Sequence, residues 1–348
     1  MDAKKSGAVV KITFFSILAI IAIAFLTAVS GIVKLVIISA LLAYVLDPAA
    51  NLFESRGMTR TSATAAIFII ISGLIGISYV VLLPMLSEEI KSLKDGFHPE
   101  NTAVMISRIE DLLVSNLSFL GVKDLHLLGR LQDSMARTGD WIFGHVLDAA
   151  SLITSLILIP FIVFFLMKDG REFQKAFVSI MPNRYFEFTL YLFHKLNTQI
   201  GNFLRGQFID AIIVGIFSVF AMWLVGVKYY FLIGVFAGLA NLIPYFGPIT
   251  GALLAVILSI LQTGGFQMAL YVIIAFSLIK LLDDAIVQPV IVAKSVHMHP
   301  LTVLLAVLAG GKLFGILGML LSVPVIGFLK VVLHEGIMNY RKYGIKAV

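Results

Sequence analysis

The chain has no cysteine among its 348 residues. Disulfides, thiolate metal sites and cysteine nucleophiles are therefore all excluded. Charge is scarce as well. Asp, Glu, Lys and Arg make up 13% of the residues, against about 25% in a soluble domain. The sequence contains no G-x-x-x-x-G-K-[ST] phosphate loop, no HExxH, no GxSxG and no paired-aspartate motif of the intramembrane protease kind. These gaps argue against ATP-driven work and against an enzyme, and no cofactor is implied. His297 and His299 flank Met298 without a third ligand nearby, a weak metal signal, so no metal site is expected.

Hydrocarbon is what the sequence has in excess. Apolar residues make up 59% of the chain, more than a water-soluble core can absorb. Several windows exceed the roughly 18 apolar residues that mark a spanning helix. They are continuous runs rather than alternating patterns, which argues against a β-barrel. The expected class is all-α, a polytopic integral membrane protein. The net charge of +6 then reflects cytoplasmic loops, not affinity for nucleic acid.

The apolar runs set the organisation. Spans are expected at Lys11 to Val29, Gly31 to Leu46, and Ala63 to about Leu83, stopping near Pro84. The N-terminal MDAKKSGAVVKITFF has the basic start of a signal peptide. No small-residue cleavage site follows, so a retained first helix is expected. Residues 1–84 thus form an N-terminal membrane region. Residues 85–150 form the only long polar segment, read as amphipathic helices outside the membrane. Residues 151–206 combine a fourth span, Ser151 to Met167, with a basic, aromatic, amphipathic stretch. That stretch suits either the membrane interface or a cytoplasmic helix packed on protein. Residues 207–348 are apolar almost throughout, with spans at Phe208 to Gly226, Tyr229 to Leu242, Ile249 to Leu261 and Phe266 to Leu282. Leu301 to Leu333 is too long for one crossing and short for two. It reads as a hairpin, or as a re-entrant piece followed by a full helix.

Lys and Arg gather at the N-terminus, after the second span, after the fourth and at the C-terminus. The positive-inside rule places all four on the cytoplasmic side. Both termini are then cytoplasmic, and the 85–150 segment faces outward.

Charges within apolar runs are the candidate functional residues. Arg205 and Asp210 flank Gln207 in LRGQFID. Lys280 precedes Asp283 by three and Asp284 by four, within pairing distance of either. Adjacent aspartates point in different directions on a helix, so one can pair structurally while the other faces a cavity. The glycine pairs 234/238, 247/251 and 311/315 match the small-xxx-small pattern of close helix packing. The segment NLIPYFGPITG, residues 241–251, breaks a helix amid apolar sequence. Unwound backbone survives in a bilayer only when buried in protein or lining a wet cavity, and many secondary transporters bind ions and substrates at such breaks. A tight turn at the membrane surface is the alternative. Asn241, Pro244, Tyr245 and Gly247 join the candidates on this ground.

The same stretches resemble the autoinducer-2 exporter family, the PerM-like permeases. DPAANLFESRGMTRTSATAA, IPFIVFFLMKDG, LRGQFID, NLIPYFGPITG and DDAIVQPVIVAKSVHMHPLTVLLAVLAGGKLFGILGMLLSVPV occur in the family's order. The resemblance implies a bacterial inner-membrane protein of about eight crossings, embedded in lipid and forming a homo-oligomer. It also implies a secondary transporter, exporting a small polar solute on an ion gradient. Na+(Li+)/H+ antiport and a passive oligomeric channel are the alternatives. The substrate- or ion-binding residues expected are Arg205, Gln207, Asp210, Asn241, Pro244, Tyr245, Gly247, Asp283 and Asp284, with Asp210 and Asp284 foremost for an ion.

Overall fold

The computed structural model describes residues 29–96, 149–263, 265–292 and 298–344. The expected first span and most of the expected polar segment, residues 97–148, lie outside the described residues. The rest is helical: α1 Ser30–Ser55, α2 Arg60–Gly96, α3 Ala149–Ser179, α4 Asn183–Val225, α5 Tyr230–Ala240, α6 Phe246–Thr263, α7 Phe266–Leu282, a π-helical segment Asp283–Val292, and α8 Pro300–Gly344. No strand occurs among the described residues. Five helices are long and apolar enough to cross a membrane, and large apolar side chains face outward along them, as lipid contact requires. The chain is a polytopic, all-α membrane protein.

Several helices outrun the spans expected of them. α2 continues through Pro84 to Gly96, where the sequence suggested an end. A proline removes one backbone hydrogen bond, a loss that a long membrane helix tolerates. α4 absorbs most of the basic amphipathic stretch along with the span after it. Its 43 residues reach about 65 Å at 1.5 Å per residue, roughly twice the hydrocarbon thickness.

The chain divides into two compact units. In the first, the described residues are α1, the start of α2 and α3 up to Arg171. A polar network ties their ends together. Asp47, Asn51 and Glu54 fall at helical spacing on α1. Arg60 donates from Nε to the Met167 carbonyl at 2.8 Å and from Nη1 to Asn51 Oδ1 at 2.7 Å, and it pairs with Asp47. Arg171 grips Glu54 through both guanidinium branches, at 3.0 and 2.9 Å.

The second unit holds the rest of α2 and α3 and everything from α4 onward. Phe177 at the end of α3 meets Phe193 of α4 with ring centroids 5.3 Å apart, and Asn197 donates to Gln174 at 3.2 Å. α4 packs most extensively on α5, and α6 on α7. The α4–α5 approach depends on missing side chains: a Cβ on Gly215 would lie 3.2 Å from the Gly238 Cα, and one on Gly234 would collide with Val219. α5 has only 11 residues, about 16 Å, and cannot cross a bilayer alone. Its first turn is capped from α2, where Glu89 accepts from the Leu232 N–H at 2.7 Å, a favourable place for a carboxylate. Val214, Met222, Ile233, Ala237, Leu258, Val272 and Phe276 form the core among α4, α5, α6 and α7.

α8 is broken at Gly315, whose φ of 64° and ψ of −144° are not helical. A Cβ on Gly310 would strike the Gly318 carbonyl, and one on Gly311 would strike Met319. Residues eight apart on a straight helix are separated by about 12 Å, so the chain doubles back. Both readings of Leu301 to Leu333 require the chain to reverse, and it reverses at Gly315.

Two predictions follow from this architecture. Arg60→Ala removes a charged donor that is 14% exposed, Arg171→Ala one that is 52% exposed. In thermal unfolding of the purified protein the first should cost about 2 kcal/mol and the second below about 1 kcal/mol; equal losses would contradict the network. Single cysteines at Leu301 and Leu329, in a chain with none of its own, should label with an impermeant maleimide from the same face of the membrane. Labelling from opposite faces would indicate a straight helix, on which these positions lie about 42 Å apart.

Candidate functional site

α5 ends at Ala240 and α6 begins at Phe246, so Asn241 to Tyr245 form the connecting turn. Pro248 falls in the first turn of α6, where its missing N–H costs nothing. Tyr245 carries a φ of +69°, uncommon for a residue with a side chain. Around this turn the structure gathers polar groups from four directions.

Asn241 is the hub. It is almost fully buried. Its backbone carbonyl accepts from Gln207 Nε2 of α4 at 2.5 Å, and its side-chain Nδ2 donates to Asp210 Oδ2 at 2.9 Å. Gly247 leaves the room Asn241 needs, since a Cβ there would collide with the asparagine side chain and sit 2.6 Å from the Ala237 carbonyl. Asp210 is 3% exposed. α4, which carries Asp210, packs on the π-helical segment that carries Asp283, and the two buried carboxyl groups are electrostatic neighbours.

Asp283 and Asp284 open the π-helical segment, and they part company there. Asp283 is 3% exposed, Asp284 51%. Lys280 Nζ reaches Asp283 Oδ2 at 3.3 Å and Asp284 Oδ1 at 2.6 Å. Gln288 Nε2 touches the same two oxygens, at 3.1 and 3.2 Å. The Lys280 ammonium also stands 4.8 Å from the centre of the Tyr245 ring, a cation–π distance. One oxygen on each buried carboxylate, Oδ1 of Asp210 and Oδ1 of Asp283, is enclosed and receives no hydrogen bond among the described residues.

Of the residues singled out in the sequence, Gln207, Asp210, Asn241, Tyr245, Gly247, Asp283 and Asp284 assemble here. Pro244 is in the turn itself. Arg205 donates to Asn202 at 2.6 Å and lies beside Gly201; no contact draws it into the group. The buried neighbour of Asp210 is Asp283, not Asp284. Two members were not among the expected binding residues. Lys280 had its helical spacing to the aspartates as a signal, and Gln288 its spacing of four from Asp284; the five-residue contact of Gln288 with Asp283 depends on the wider π-helical turn. His299 Nδ1 accepts from the Leu301 N–H at 3.2 Å and caps α8. No cluster of three metal-binding side chains occurs among the described residues.

Chemically, the group is two buried carboxylates, one exposed carboxylate and one ammonium, held by amide side chains of Asn241 and Gln288. Two such carboxylates repel unless a proton or a cation lies between them. A cavity of about 750 Å³ lies elsewhere in the unit, between α4 and α5, lined by Phe208, Ile212, Val219, Trp223 and Phe231 among others. It includes none of Gln207, Asp210 or Asn241.

Known proteins give the context. YrrI of Bacillus subtilis (strain 168), named as a transport protein, is 29% identical over 306 residues, covering 85% of this chain and 84% of its own. PerM of Escherichia coli (strain K12), named as a permease, is 24% identical over 317 residues, covering 88% and 87%. MJ1177 of Methanocaldococcus jannaschii, also named as a transport protein, is 23% identical and covers 84% and 86%. The model of the AI-2E family transporter matches residues 14–338, taking in both units and every residue of the polar group. This chain belongs to the AI-2E transporter family.

Proposed function

We propose that this AI-2E family protein is a secondary transporter whose coupling ion is handled by Asp210 and Asp283. The observation that carries the reading is the pair of buried carboxylates on two packed elements, each with an oxygen that no described donor reaches. A proton shared between them relieves their repulsion, and so does a small monovalent cation. Loss of the proton and entry of the cation are thus alternatives at one place, which is the requirement for exchange.

The surroundings suit that role. Asn241 holds Asp210 by a side-chain donor, while Gln207 holds the Asn241 backbone. The turn between α5 and α6 is thereby fastened to the carboxylate that changes state. A change in charge at Asp210 bears directly on the position of the hairpin, and charge-dependent movement of a broken element is how alternating access couples to an ion.

Two cargoes fit. The family resemblance supports outward movement of a small polar solute of the autoinducer-2 kind across the bacterial inner membrane. It also underlies a homo-oligomeric assembly, while the distribution of Lys and Arg underlies the assignment of both termini to the cytoplasm. The site itself favours the second reading, Na+(Li+)/H+ antiport. Its polar groups are few and directed at each other, and the large neighbouring cavity is lined by hydrocarbon rather than by the donors a hydroxylated solute needs.

Inside-out vesicles with an acid interior provide the test. Adding Na+ or Li+ should collapse the pH gradient for the wild type, and Asp210→Asn and Asp283→Asn should reduce the response at least about tenfold. Unchanged exchange in both variants would remove the pair from the mechanism. If no cation acts on the wild type, uptake of labelled autoinducer-2 by the same vesicles decides for the solute.

A further inference from the structure

Lys280 and Asp284 are charged groups of the site outside the coupling pair. Lys280 enters the site from its edge, 28% exposed, and bonds one buried and one exposed carboxylate. We propose that Lys280 is a tethered competitor for the transported cation: its ammonium and a bound monovalent cation take the buried Asp283 carboxylate in turn, and Asp284 is the seat to which Lys280 withdraws. This rests on the reading of Asp210 and Asp283 as the ion-handling pair.

The geometry carries the exchange. The contact with buried Asp283, at 3.3 Å, is long for a charge-assisted bond. The contact with exposed Asp284 is 2.6 Å. Lys280 can release the first and keep the second, so the ammonium is never stranded. Gln288 stands beside the same Asp283 oxygen at 3.1 Å, and that oxygen keeps a donor when Lys280 withdraws. The Tyr245 ring, 4.8 Å away, offers the ammonium a further face on the side of the turn.

Charge points the same way. The charged groups facing one another here are Asp210 on α4, Lys280 on α7, and Asp283 and Asp284 on the π-helical segment. Three carboxylates meet one ammonium. With Lys280 on Asp283, the buried pair lacks one positive charge, which a shared proton supplies. With Lys280 on Asp284, the buried pair can take a cation in its place. A monovalent ion meets that need. A divalent ion such as Mg2+ demands a near-octahedral set of oxygens and gives up its water reluctantly, and this site does not offer such a set.

The contribution of Asp284 separates this proposal from a merely structural ion pair. If Lys280 competes with the cation, removing it and removing its retreat must act in opposite directions. Lys280→Gln frees Asp283 and should tighten cation binding. Asp284→Asn leaves Lys280 only Asp283 and should weaken it. In a structural pair both variants simply destabilise the protein.

The experiment is a thermal-unfolding titration of the full-length protein in lipid nanodiscs, with NaCl and LiCl against choline chloride at constant ionic strength. Wild type should be stabilised by Na+ or Li+ but not by choline. Lys280→Gln should shift the half-saturating concentration about tenfold lower and Asp284→Asn about tenfold higher, a coupling of ordinary size. Shifts in the same direction, or none, with a normal wild-type response would overturn the competitor role and leave the coupling pair standing. A wild type that ignores both cations would defeat the cation reading itself. If Lys280→Gln does not fold, the Asp284→Asn shift decides alone: a weaker response supports the competitor, and an unchanged or tighter one rejects it.

Discussion

A chain that interrupts a helix amid hydrocarbon must supply the missing hydrogen-bond partners itself, because lipid supplies none. That constraint explains the turn at Asn241 to Tyr245. The Asn241 carbonyl ends α5 and takes a donor from Gln207, and its side chain takes Asp210 as acceptor. One asparagine thus satisfies the broken backbone and orients a buried acid. Glycine at 247 is part of the same solution, since any side chain there would push Asn241 out of place. The break and the charged site are one structural event: remove the break, and Asp210 loses its only described donor.

Close backbone approach does the rest. Lipid tails are as apolar as leucine, so helices in a membrane gain little from hydrophobic burial against each other and associate by tight packing. Gly215 meets Gly238, and Gly310 meets Gly318, at contacts too close for a side chain to fit without a shift. The first presses short α5 against α4, fixing Asn241 over Gln207 and Asp210. The second folds α8 back on itself. Short elements that cannot span alone are thus held by neighbours and not by lipid.

The fold class, the breaks and most of the polar group were legible in the sequence for physical reasons. Continuous apolar runs mark membrane helices, and prolines with glycines inside them mark interruptions. The end of α4 at Gly226, with φ of 83°, coincides with the last residue of the expected span. The glycine pairs read as packing motifs do pack at 234, 238, 247 and 251, whereas Gly315 is a break and not a contact. Less legible was everything that depends on exact helical register. A proline such as Pro84 can be carried inside a long helix, so it marks an end only sometimes. Which of Asp283 and Asp284 turns inward depends on the π-helical turn after α7, and sequence spacing assumes an α-helical one. The same widening brings Gln288 to Asp283, five residues before it. Arg205 lies apart from the group and donates from Nη2 to Asn202 three residues earlier.

The inward turn of Asp283 gives the site its asymmetry. Had both aspartates stayed at the edge, Lys280 would have formed an ordinary exposed ion pair, worth little. With one inside and one outside, the same lysine spans a boundary between a buried carboxylate and an exposed one. An unpaired charge is costly in the first place, so the position of the ammonium depends on whatever else occupies the interior. That dependence links events at Asp210 to the protein's edge through a single flexible side chain. It needs no large movement of α7, whose packed residues Val272, Phe276 and Ile279 lie in the core. The rigid helix supplies the anchor, the unusual turn after it supplies the two seats, and the moving part is confined to the four carbons of one lysine.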